Sequence, residues 1–357
     1  MNSKIQSPSN SCKNIYLIFL ISFTPIWLLR ADGWGPDSIG YYEAFLNSES
    51  KILECFEMFS PPFYFDKFEI LFYAINFLSF YIFESYYIYI LLLGTIYTLL
   101  LAKLYKVFSN YINLDIFTFI LTFILIIGPL GILWFTRQSL ASIFFLFSLI
   151  FFISKDYVKG IIFSIIMCTI HIKSGIILLA LMPIILISNI YLIIILPIIL
   201  LLSYYVQLPD SVLYISNLFP EHMGSVITAY EENFRSAPNG PSFLSVIASI
   251  FYIIIIKHEH AQYNAALNLI SKILFLIIFF SIISIAGSVL ARMQIIFLTI
   301  LPFVFAYFAY KFKFAIIRLI FISLGLIYCI NFTTAPQNFR FYENQLENYA
   351  QGAGESI

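Results

Sequence analysis

One stretch of this chain, where two long apolar runs meet at a charged residue, decides its fold class. Residues 116–155 read IFTFILTFILIIGPLGILWFTRQSLASIFFLFSLIFFISK, and the two runs meet at Arg137 and Gln138. Each run is about as long as the ~20 residues that an α-helix needs to cross a bilayer. A full positive charge at the bilayer centre costs about 3 kcal/mol or more. Arg137 is therefore expected either at a membrane surface or facing a cavity inside the protein.

The composition of the whole chain is that of a polytopic membrane protein. Of its 357 residues, 61% are hydrophobic and 11% are charged, whereas soluble domains have roughly 45–50% and 25%. The formal net charge is zero and no long basic tract occurs, which argues against a nucleic-acid partner. The sequence contains no P-loop, GxGxxG, CxxC or HExxH motif, so we predict no cofactor and no zinc site and leave a divalent metal open.

Apolar runs of similar length recur from one end of the chain to the other. We predict an all-α polytopic protein in which residues 1–357 form a single integral membrane domain, with the first run as an uncleaved signal anchor. The runs lie near residues 13–29, 68–83, 86–102, 113–134, 138–154, 158–171, 174–187, 190–206, 242–257, 266–287, 290–310 and 314–331.

Lysines and arginines in the short loops predict the orientation of these runs, because short basic loops stay in the cytoplasm. The arrangement that best obeys this rule has a cytoplasmic N-terminus and treats 68–83 as a re-entrant helix on the outer side. It predicts about eleven transmembrane helices plus that helix, with the C-terminal tail outside. The basic residues that it places inside are Lys103, Lys106, Lys155, Lys159, Lys257, Lys311, Lys313 and Arg318.

The same topology gathers a second set of basic residues on the outer face, beside the two largest loops, 30–67 and 207–241. An arginine side chain matches phosphate oxygens with two parallel hydrogen bonds, although a single arginine at a helix end can also extend to lipid headgroups. Several such cations on the disfavoured side favour a site for an anionic, lipid-linked group. The cations are Arg137, Lys173 and Arg292, with Arg235 and Arg340 as further candidates.

Catalytic candidates lie on this face as well. The first outer loop, which its glycines and proline predict to be irregular, carries Asp37 shortly before Tyr41 and Tyr42. A carboxylate beside apolar walls can act as a general base, and aromatic rings can stack on sugars. The alternative is a solvated acidic loop with an interfacial aromatic belt. His171, next to Lys173, is a base, a phosphate ligand or a packing histidine.

These residues, in this order, resemble the EpsG family of bacterial membrane proteins, which includes Wzy-type polysaccharide polymerases. The resemblance covers roughly residues 30 to 310. The matching features are D-x-x-x-Y-Y at Asp37, Tyr41 and Tyr42, then Glu69 opening the next run, R-Q-x-x-A at Arg137, Gln138 and Ala141, His171 followed by Ser174, and Arg292 beside a late span.

The resemblance implies a glycosyltransferase of GT-C-like architecture that crosses the bacterial inner (plasma) membrane many times. It implies that oligosaccharide repeat units carried on undecaprenyl pyrophosphate are joined at the periplasmic face, giving O-antigen, capsule or exopolysaccharide. The implied partners are these lipid-linked oligosaccharides, membrane lipids and a chain-length regulator. The implied catalytic residues are Asp37 and His171, and the implied substrate-binding residues are Arg137, Gln138, Lys173, Arg292, Tyr41, Tyr42 and Glu69.

Other functions share parts of this pattern. A flippase or transporter of lipid-linked oligosaccharide predicts ionisable residues near the middle of the membrane, whereas the charges here crowd at the ends of the runs. A membrane acyltransferase suits a lone His171, and an O-antigen ligase shares the outer-face chemistry. The length of the surface polysaccharide in cells that lack the protein separates a polymerase from a flippase.

Overall fold

The structure is a bundle of α-helices, and no strand occurs in the part of the chain that it describes. This computed structural model describes residues 14–31, 38–50, 70–129, 132, 136–171, 179, 183–184, 187–205, 243–258, 264–283, 297–313 and 315–334. The helices are α1 (Ile15–Ala31), α2 (Ser38–Leu46), α3 (Ile70–Phe83), α4 (Tyr86–Ser109), α5 (Ile116–Ile127), α6 (Thr136–Ile153), α7 (Tyr157–Ile170), α8 (Asn189–Tyr205), α9 (Phe243–His258), α10 (Ala265–Ile283), α11 (Leu301–Phe312) and α12 (Ala315–Thr334). The all-α prediction is confirmed for these residues.

Three of the described helices are long and apolar enough to cross a membrane by length and composition, namely Tyr86–Ser109, Thr136–Ile153 and Ala265–Ile282. Seven shorter apolar helices of 10–17 residues accompany them within the described ranges. The chain is therefore built as a membrane protein. The number of eleven spans and the GT-C-like architecture stay predictions.

Polar side chains define where several helices begin. Asp115 caps α5 by accepting a hydrogen bond from the backbone N–H of Thr118 at 3.0 Å, and Asp156 caps α7 by accepting one from Lys159 at 3.4 Å. Such caps satisfy N–H groups that have no partner within the helix. The hydrogen bond from the Lys159 ammonium also lowers the pKa of Asp156 below its ordinary value.

Ring contacts show that α1 and α5 run in the same direction. Phe19 lies 5.7 Å from Phe119 between ring centroids, and one turn further along both helices Phe23 lies 5.5 Å from Phe123. The start of α1 therefore lies at the same end of the bundle as the start of α5.

Helix α4 runs antiparallel to α1 and packs closely on it. Tyr105, near the end of α4, contacts Phe19 at 5.6 Å, while Tyr97 contacts Trp27 at 5.4 Å. The close approach depends on Gly94, because a Cβ atom there would lie 2.4 Å from the Trp27 ring. The end of α1 therefore lies at the same end of the bundle as the start of α4.

Helix α6 runs in the same direction as α4. The hydroxyl groups of Tyr97 and Ser139 lie 2.6 Å apart near the start of α6, and those of Tyr111 and Ser154 lie 2.6 Å apart just after its end. These two hydrogen bonds fix the register of the pair along its whole length.

Helix α7 returns antiparallel along α6. Phe152 and Tyr157 contact each other across the connection, with ring centroids 6.4 Å apart. Two turns away from the connection, the hydroxyls of Ser148 and Ser164 lie 2.7 Å apart. The side chain of Ser148 also donates to the carbonyl oxygen of Gly160 at 3.0 Å, so the helices meet closely.

The directions of the C-terminal helices can be deduced in the same way. In α12, Arg318 forms an ion pair with Asp115 at 3.0 Å, and a Cβ atom at Gly325 would lie 3.2 Å from Leu125, so α12 runs parallel to α5. Helices α9 and α10 are packed together. They are antiparallel, because Ser281 donates to Ser245 at 2.8 Å and Tyr252 lies 6.2 Å from Phe275 between ring centroids.

Together these directions place the predicted cytoplasmic lysines at one end of the bundle, which we call the basic end. Asn264, just before α10, donates to the carbonyl oxygen of Tyr111 at 3.0 Å, and α11 runs antiparallel to α5, since Phe303 contacts Phe119 at 4.7 Å and Ala306 accepts the Asp115 N–H. The basic end therefore contains the helix ends that carry Lys103, Lys106, Lys155, Lys159, Lys257, Lys311, Lys313 and Arg318. The end of α1 and the start of α6 lie at the opposite end. The contacts agree with the direction that the loop lysines predict for each of these helices.

The re-entrant helix predicted over 68–83 corresponds to α3, a helix of 14 residues. Its length of about 21 Å is shorter than the ~30 Å hydrocarbon core. Phe80 of α3 packs on Phe45 of α2 at 5.3 Å, and Glu84 joins α3 to α4 with a φ of 50°. Because α5 and α11, with 12 residues each, are shorter still, this length does not distinguish α3 from a crossing helix, and re-entry stays a prediction.

The prediction of an irregular first outer loop is wrong over part of 30–67, because residues 38–46 form α2. Tyr41, Ala44 and Phe45 are buried, and this i, i+3, i+4 spacing places them on one face of a helix. That face packs against α3. The burial of this apolar face favours a helix, and most of the glycines and the proline lie before α2 begins.

Candidate functional site

Two arginines lie over the ring of Tyr41 at the end of the bundle opposite to the basic end. The guanidinium carbon Cζ of Arg30 is 4.9 Å from the ring centroid, and that of Arg137 is 5.8 Å from it. The Arg137 Cζ atom also lies 5.3 Å from the ring centroid of Phe72, which meets Tyr41 edge-on at 5.1 Å. We call Arg30, Tyr41, Phe72 and Arg137 the Tyr41 cluster.

Four different helices supply the Tyr41 cluster. Arg30 is the last residue but one of α1, and Tyr41 is on the buried face of α2. Phe72 is in the first turn of α3, and Arg137 is the second residue of α6. The cluster is thus built where helix ends converge, and it depends on the packing of all four helices.

Arg137 is held through its backbone as well as through its side chain. Its backbone N–H donates a hydrogen bond to the Tyr41 hydroxyl at 3.3 Å. The first turn of a helix presents N–H groups without intrahelical partners and the positive end of the helix dipole. The Arg137 side chain is partly exposed. A guanidinium at this position, with a helix N-terminus behind it, favours an anionic ligand such as a phosphate.

Arg30 is a member of the cluster that the sequence analysis did not include among the phosphate-binding candidates. It is fully buried, at 0% exposure, and a guanidinium remains charged in any protein environment. Cation–π attraction to Tyr41 offsets part of the cost of burying that charge. The positive-inside rule could have identified Arg30. Like Arg137, it lies at the end of an apolar run on the side where basic residues are disfavoured.

An aromatic wall continues from the cluster along the start of α4. Tyr42 meets Tyr86 edge-on, with centroids 5.3 Å apart at 83°, and Phe45 lies 5.7 Å from Tyr86 and 5.4 Å from Tyr89. Tyr42 is half-buried, whereas Tyr41 is buried. The predicted stacking of sugars on these tyrosines stays a prediction, and Tyr42 is the one with an accessible ring.

Gln138 and Ser139 follow Arg137 in the first turns of α6. The Oε1 atom of Gln138 is buried and has no hydrogen-bond partner among the described residues. Ser139 is tied to Tyr97 of α4 through their hydroxyls. The predicted contact of Gln138 with a sugar stays a prediction, and the carbonyl oxygen of its side chain is an acceptor that a bound hydroxyl could satisfy.

His171 follows α7 and lies towards the same end of the bundle as Arg137. Its backbone N–H donates to the carbonyl oxygen of Met167 at 3.1 Å, and its side chain is half-buried. From the Ser148–Ser164 contact, Arg137 lies about 16 Å further along α6 and His171 about 10 Å further along α7. His171 is thus roughly one helical turn nearer the middle of the bundle.

A family model for the EpsG family matches residues 15–346. The match extends over most of the chain, including every helix described above. The chain belongs to the EpsG family. This family is related to Wzy-type polysaccharide polymerases, and the resemblance seen in the sequence is confirmed. No curated protein and no solved structure matches the chain.

Four of the predicted site residues of this EpsG-family protein lie outside the described residues: Asp37, Glu69, Lys173 and Arg292. The same holds for Ser174 and for the second outer loop, 207–241. Tyr41, Tyr42, Arg137, Gln138 and His171 are described and lie towards one end of the bundle. Among the described residues, no group of three or more His, Cys, Asp or Glu side chains could hold a metal ion.

Lys272 is an ionisable residue inside the bundle that the sequence analysis overlooked. It is 2% exposed, and its ammonium group donates to the carbonyl oxygen of Ile187. Next to it, the Asn189 side chain donates to Ser271 at 3.1 Å. The prediction that charges crowd at the ends of the apolar runs is therefore wrong for Lys272. A single lysine hardly lowers the mean hydropathy of the run 266–287, so hydropathy does not reveal it.

Proposed function

We propose that this EpsG-family protein is a bacterial polysaccharide polymerase acting at the periplasmic face of the inner membrane. Its substrates are oligosaccharide repeat units carried on undecaprenyl pyrophosphate, and its product is an O-antigen, a capsule or an exopolysaccharide. Family membership supports the polymerase role. The observation that carries the substrate class is Arg137, a cation at the first turn of α6 and at the end of the bundle where basic residues are disfavoured.

In the proposed reaction, a hydroxyl oxygen of the acceptor repeat unit attacks the anomeric carbon of the donor sugar. The bond from that carbon to the pyrophosphate oxygen breaks, and the pyrophosphate leaves with the electron pair. A general base takes the proton of the attacking hydroxyl. The donor already carries an activated leaving group, so the reaction needs no nucleotide.

The Tyr41 cluster supplies what a pyrophosphate leaving group requires. Negative charge is present on the pyrophosphate in the ground state and increases as the bond breaks. The Arg137 guanidinium, fixed over two rings, can bind that charge through two parallel hydrogen bonds. Lys173 and Arg292 are proposed as further cations of the site.

The acid–base and sugar-binding roles are proposed for neighbouring residues. Asp37 and His171 are the candidates for the general base, and His171 lies towards the Arg137 end of α7. Tyr42 and Gln138 offer a ring face and an amide to the sugars, and Glu69 is a further candidate. Membrane lipids and a chain-length regulator are the other proposed partners.

The experiment that tests this proposal compares surface polysaccharide in cells with and without the protein. A polymerase predicts that cells lacking it display single repeat units in place of long chains. If no repeat unit reaches the surface, the protein is a flippase, the function that the buried Lys272 would favour. If long chains form but stay on their lipid carrier, it is a ligase.

A second measurement tests the chemistry directly. The purified protein in proteoliposomes is given a lipid-linked repeat unit, and the products are separated by length. Products of two and more units are expected without any nucleotide. Unchanged single units in the presence of folded protein would contradict the proposed reaction.

A further inference from the structure

Arg30 is placed to act on the candidate site without touching a ligand. Its side chain is fully buried, so its guanidinium is shielded from any molecule that approaches the outer end of the bundle. Within the cluster, its Cζ atom lies 4.9 Å from the centroid of the Tyr41 ring. Tyr41 in turn contacts Arg137 in two ways, through its ring and through its hydroxyl.

We propose that Arg30 is a positioning residue for pyrophosphate binding, which holds Tyr41 so that Tyr41 fixes Arg137 at the start of α6. This inference rests on the proposed function, because it assumes that Arg137 binds the pyrophosphate of the donor. It assigns a role to a residue of α1, a helix whose rings otherwise pack on α4 and α5.

The end of α1 that carries Arg30 is held by its packing on α4. One turn before it, Trp27 packs on Tyr97 at 5.4 Å and fits against Gly94. The end of α1 is therefore held closely against α4. Since cation–π attraction is stronger when the cation is removed from water, a buried guanidinium on an immobile helix restrains the Tyr41 ring effectively.

Tyr41 transmits this restraint to Arg137 through two contacts. The ring of Tyr41 lies beneath the Arg137 guanidinium at 5.8 Å, and its hydroxyl accepts the Arg137 backbone N–H at 3.3 Å. Phe72 borders both side chains, with its centroid 5.1 Å from Tyr41 and 5.3 Å from the Arg137 Cζ atom. A shift of the Tyr41 ring would therefore move the surface on which Arg137 rests.

Losing the restraint on Arg137 is expected to weaken donor binding more than it slows the chemical step. A long, flexible side chain that is fixed before the ligand arrives loses less entropy on binding. Losing that restraint weakens binding of the ground state and the transition state alike, which raises KM and leaves kcat nearly unchanged. A residue needed only for folding would instead lower the amount of active protein and leave KM unchanged.

The test measures the donor KM and kcat of purified variants in proteoliposomes, normalised to folded protein. Arg30→Gln is expected to raise the donor KM about tenfold with kcat within about threefold, and Arg30→Lys to raise it less, because an ammonium keeps part of the cation–π attraction. In an Arg137→Lys background, Arg30→Gln is expected to raise KM by less than about twofold, since both changes act through one contact. Arg318→Gln, at the basic end, is the matched control and should leave the donor KM unchanged.

A wild-type donor KM in Arg30→Gln would overturn the inference, as would a full tenfold effect of Arg30→Gln in the Arg137→Lys background. If Arg30→Gln does not fold, Arg30→Lys replaces it, because it keeps a positive charge at the buried position. An unchanged donor KM in folded Arg30→Lys would then refute the proposal.

Binding of inorganic pyrophosphate, measured by calorimetry, separates this inference from the proposed function. If the wild-type protein binds pyrophosphate and Arg30→Gln weakens that binding about tenfold, the positioning role holds even where no polymer is made. If the wild-type protein makes polymer and Arg30→Gln binds pyrophosphate normally, the proposed function stands and the positioning role fails. If the wild-type protein does neither, both fail.

Discussion

Replacing Arg137 by lysine separates a phosphate-binding arginine from one that only extends to lipid headgroups. The substitution keeps the positive charge and most of the length of the side chain. It also keeps the backbone N–H that bonds to Tyr41, because that group does not depend on the side chain. What it removes is the planar guanidinium, which lies over the rings of Tyr41 and Phe72 and can form two parallel hydrogen bonds.

The size of the effect follows from these lost interactions. Replacing a bidentate, charge-assisted pair by a single hydrogen bond costs about 2–3 kcal/mol. Since each 1.4 kcal/mol is about a tenfold change in rate, we expect Arg137→Lys to slow polymerisation about a hundredfold. An arginine that only contacts headgroups needs charge and reach, so its replacement by lysine would be nearly silent.

The assay is the length distribution of the surface polysaccharide in cells that express Arg137→Lys at the wild-type protein level. Short chains or single repeat units are expected. Arg318→Lys, an equivalent change at the opposite end of the bundle, is the control and should give full-length polymer. Full-length polymer from Arg137→Lys would refute the reasoning and indicate that Arg137 contacts lipid headgroups instead of the donor.

Three further predictions concern topology, the aromatic wall and helix packing. Cysteines introduced into the outer loop 207–241 should react with an impermeant reagent added from outside, whereas cysteines at 155–159 should not. Tyr42→Ala should shorten the polymer more than Tyr42→Phe, because the ring face and not the hydroxyl would contact a sugar. Gly94→Ala should lower the thermal unfolding midpoint of the purified protein, since the added Cβ would lie 2.4 Å from the Trp27 ring and overpacking costs about 1–3 kcal/mol.

Each of these has an outcome that would count against it. Labelling at 155–159 from outside would invert the topology, and equal damage from Phe and Ala at Tyr42 would implicate the hydroxyl. Gly128→Ala is the control for Gly94→Ala, because its Cβ would meet only the flexible end of Ile26 at 3.2 Å. If both glycine variants melt like the wild type, the close approach of α1 to α4 is not needed for stability.

The class of the protein and the direction of its helices could be predicted from the sequence because they depend on local properties. The cost of burying charge and the affinity of apolar side chains for the bilayer act on each segment separately. Loop lysines such as Lys106 and Lys155 then orient the helices one after another. This is why the helix directions deduced from ring contacts and hydrogen bonds agree with those read from the loops.

Individual residues of the site could also be proposed from the sequence, but only as candidates. Arg137 was recognisable because it is a charge at a junction of apolar runs on the disfavoured side. Arg30 carries the same signal, but in the sequence it lies at the boundary between the first apolar run and the loop 30–67. Lys272 lies within an apolar run. Hydropathy averages over many residues, so it cannot tell a lysine bonded to a backbone carbonyl inside the bundle from one that faces lipid.

The Tyr41 cluster itself was decided by the tertiary structure. Arg30 and Arg137 are 107 positions apart in the chain, and they share one ring because α1, α2, α3 and α6 pack with their ends together. Tyr41 is buried and Tyr42 is half-buried because of the way α2 packs against α3. The sequence does not distinguish these two neighbouring tyrosines. Hydropathy brings a helix into the membrane, and the fit of side chains between helices determines which of its residues meet.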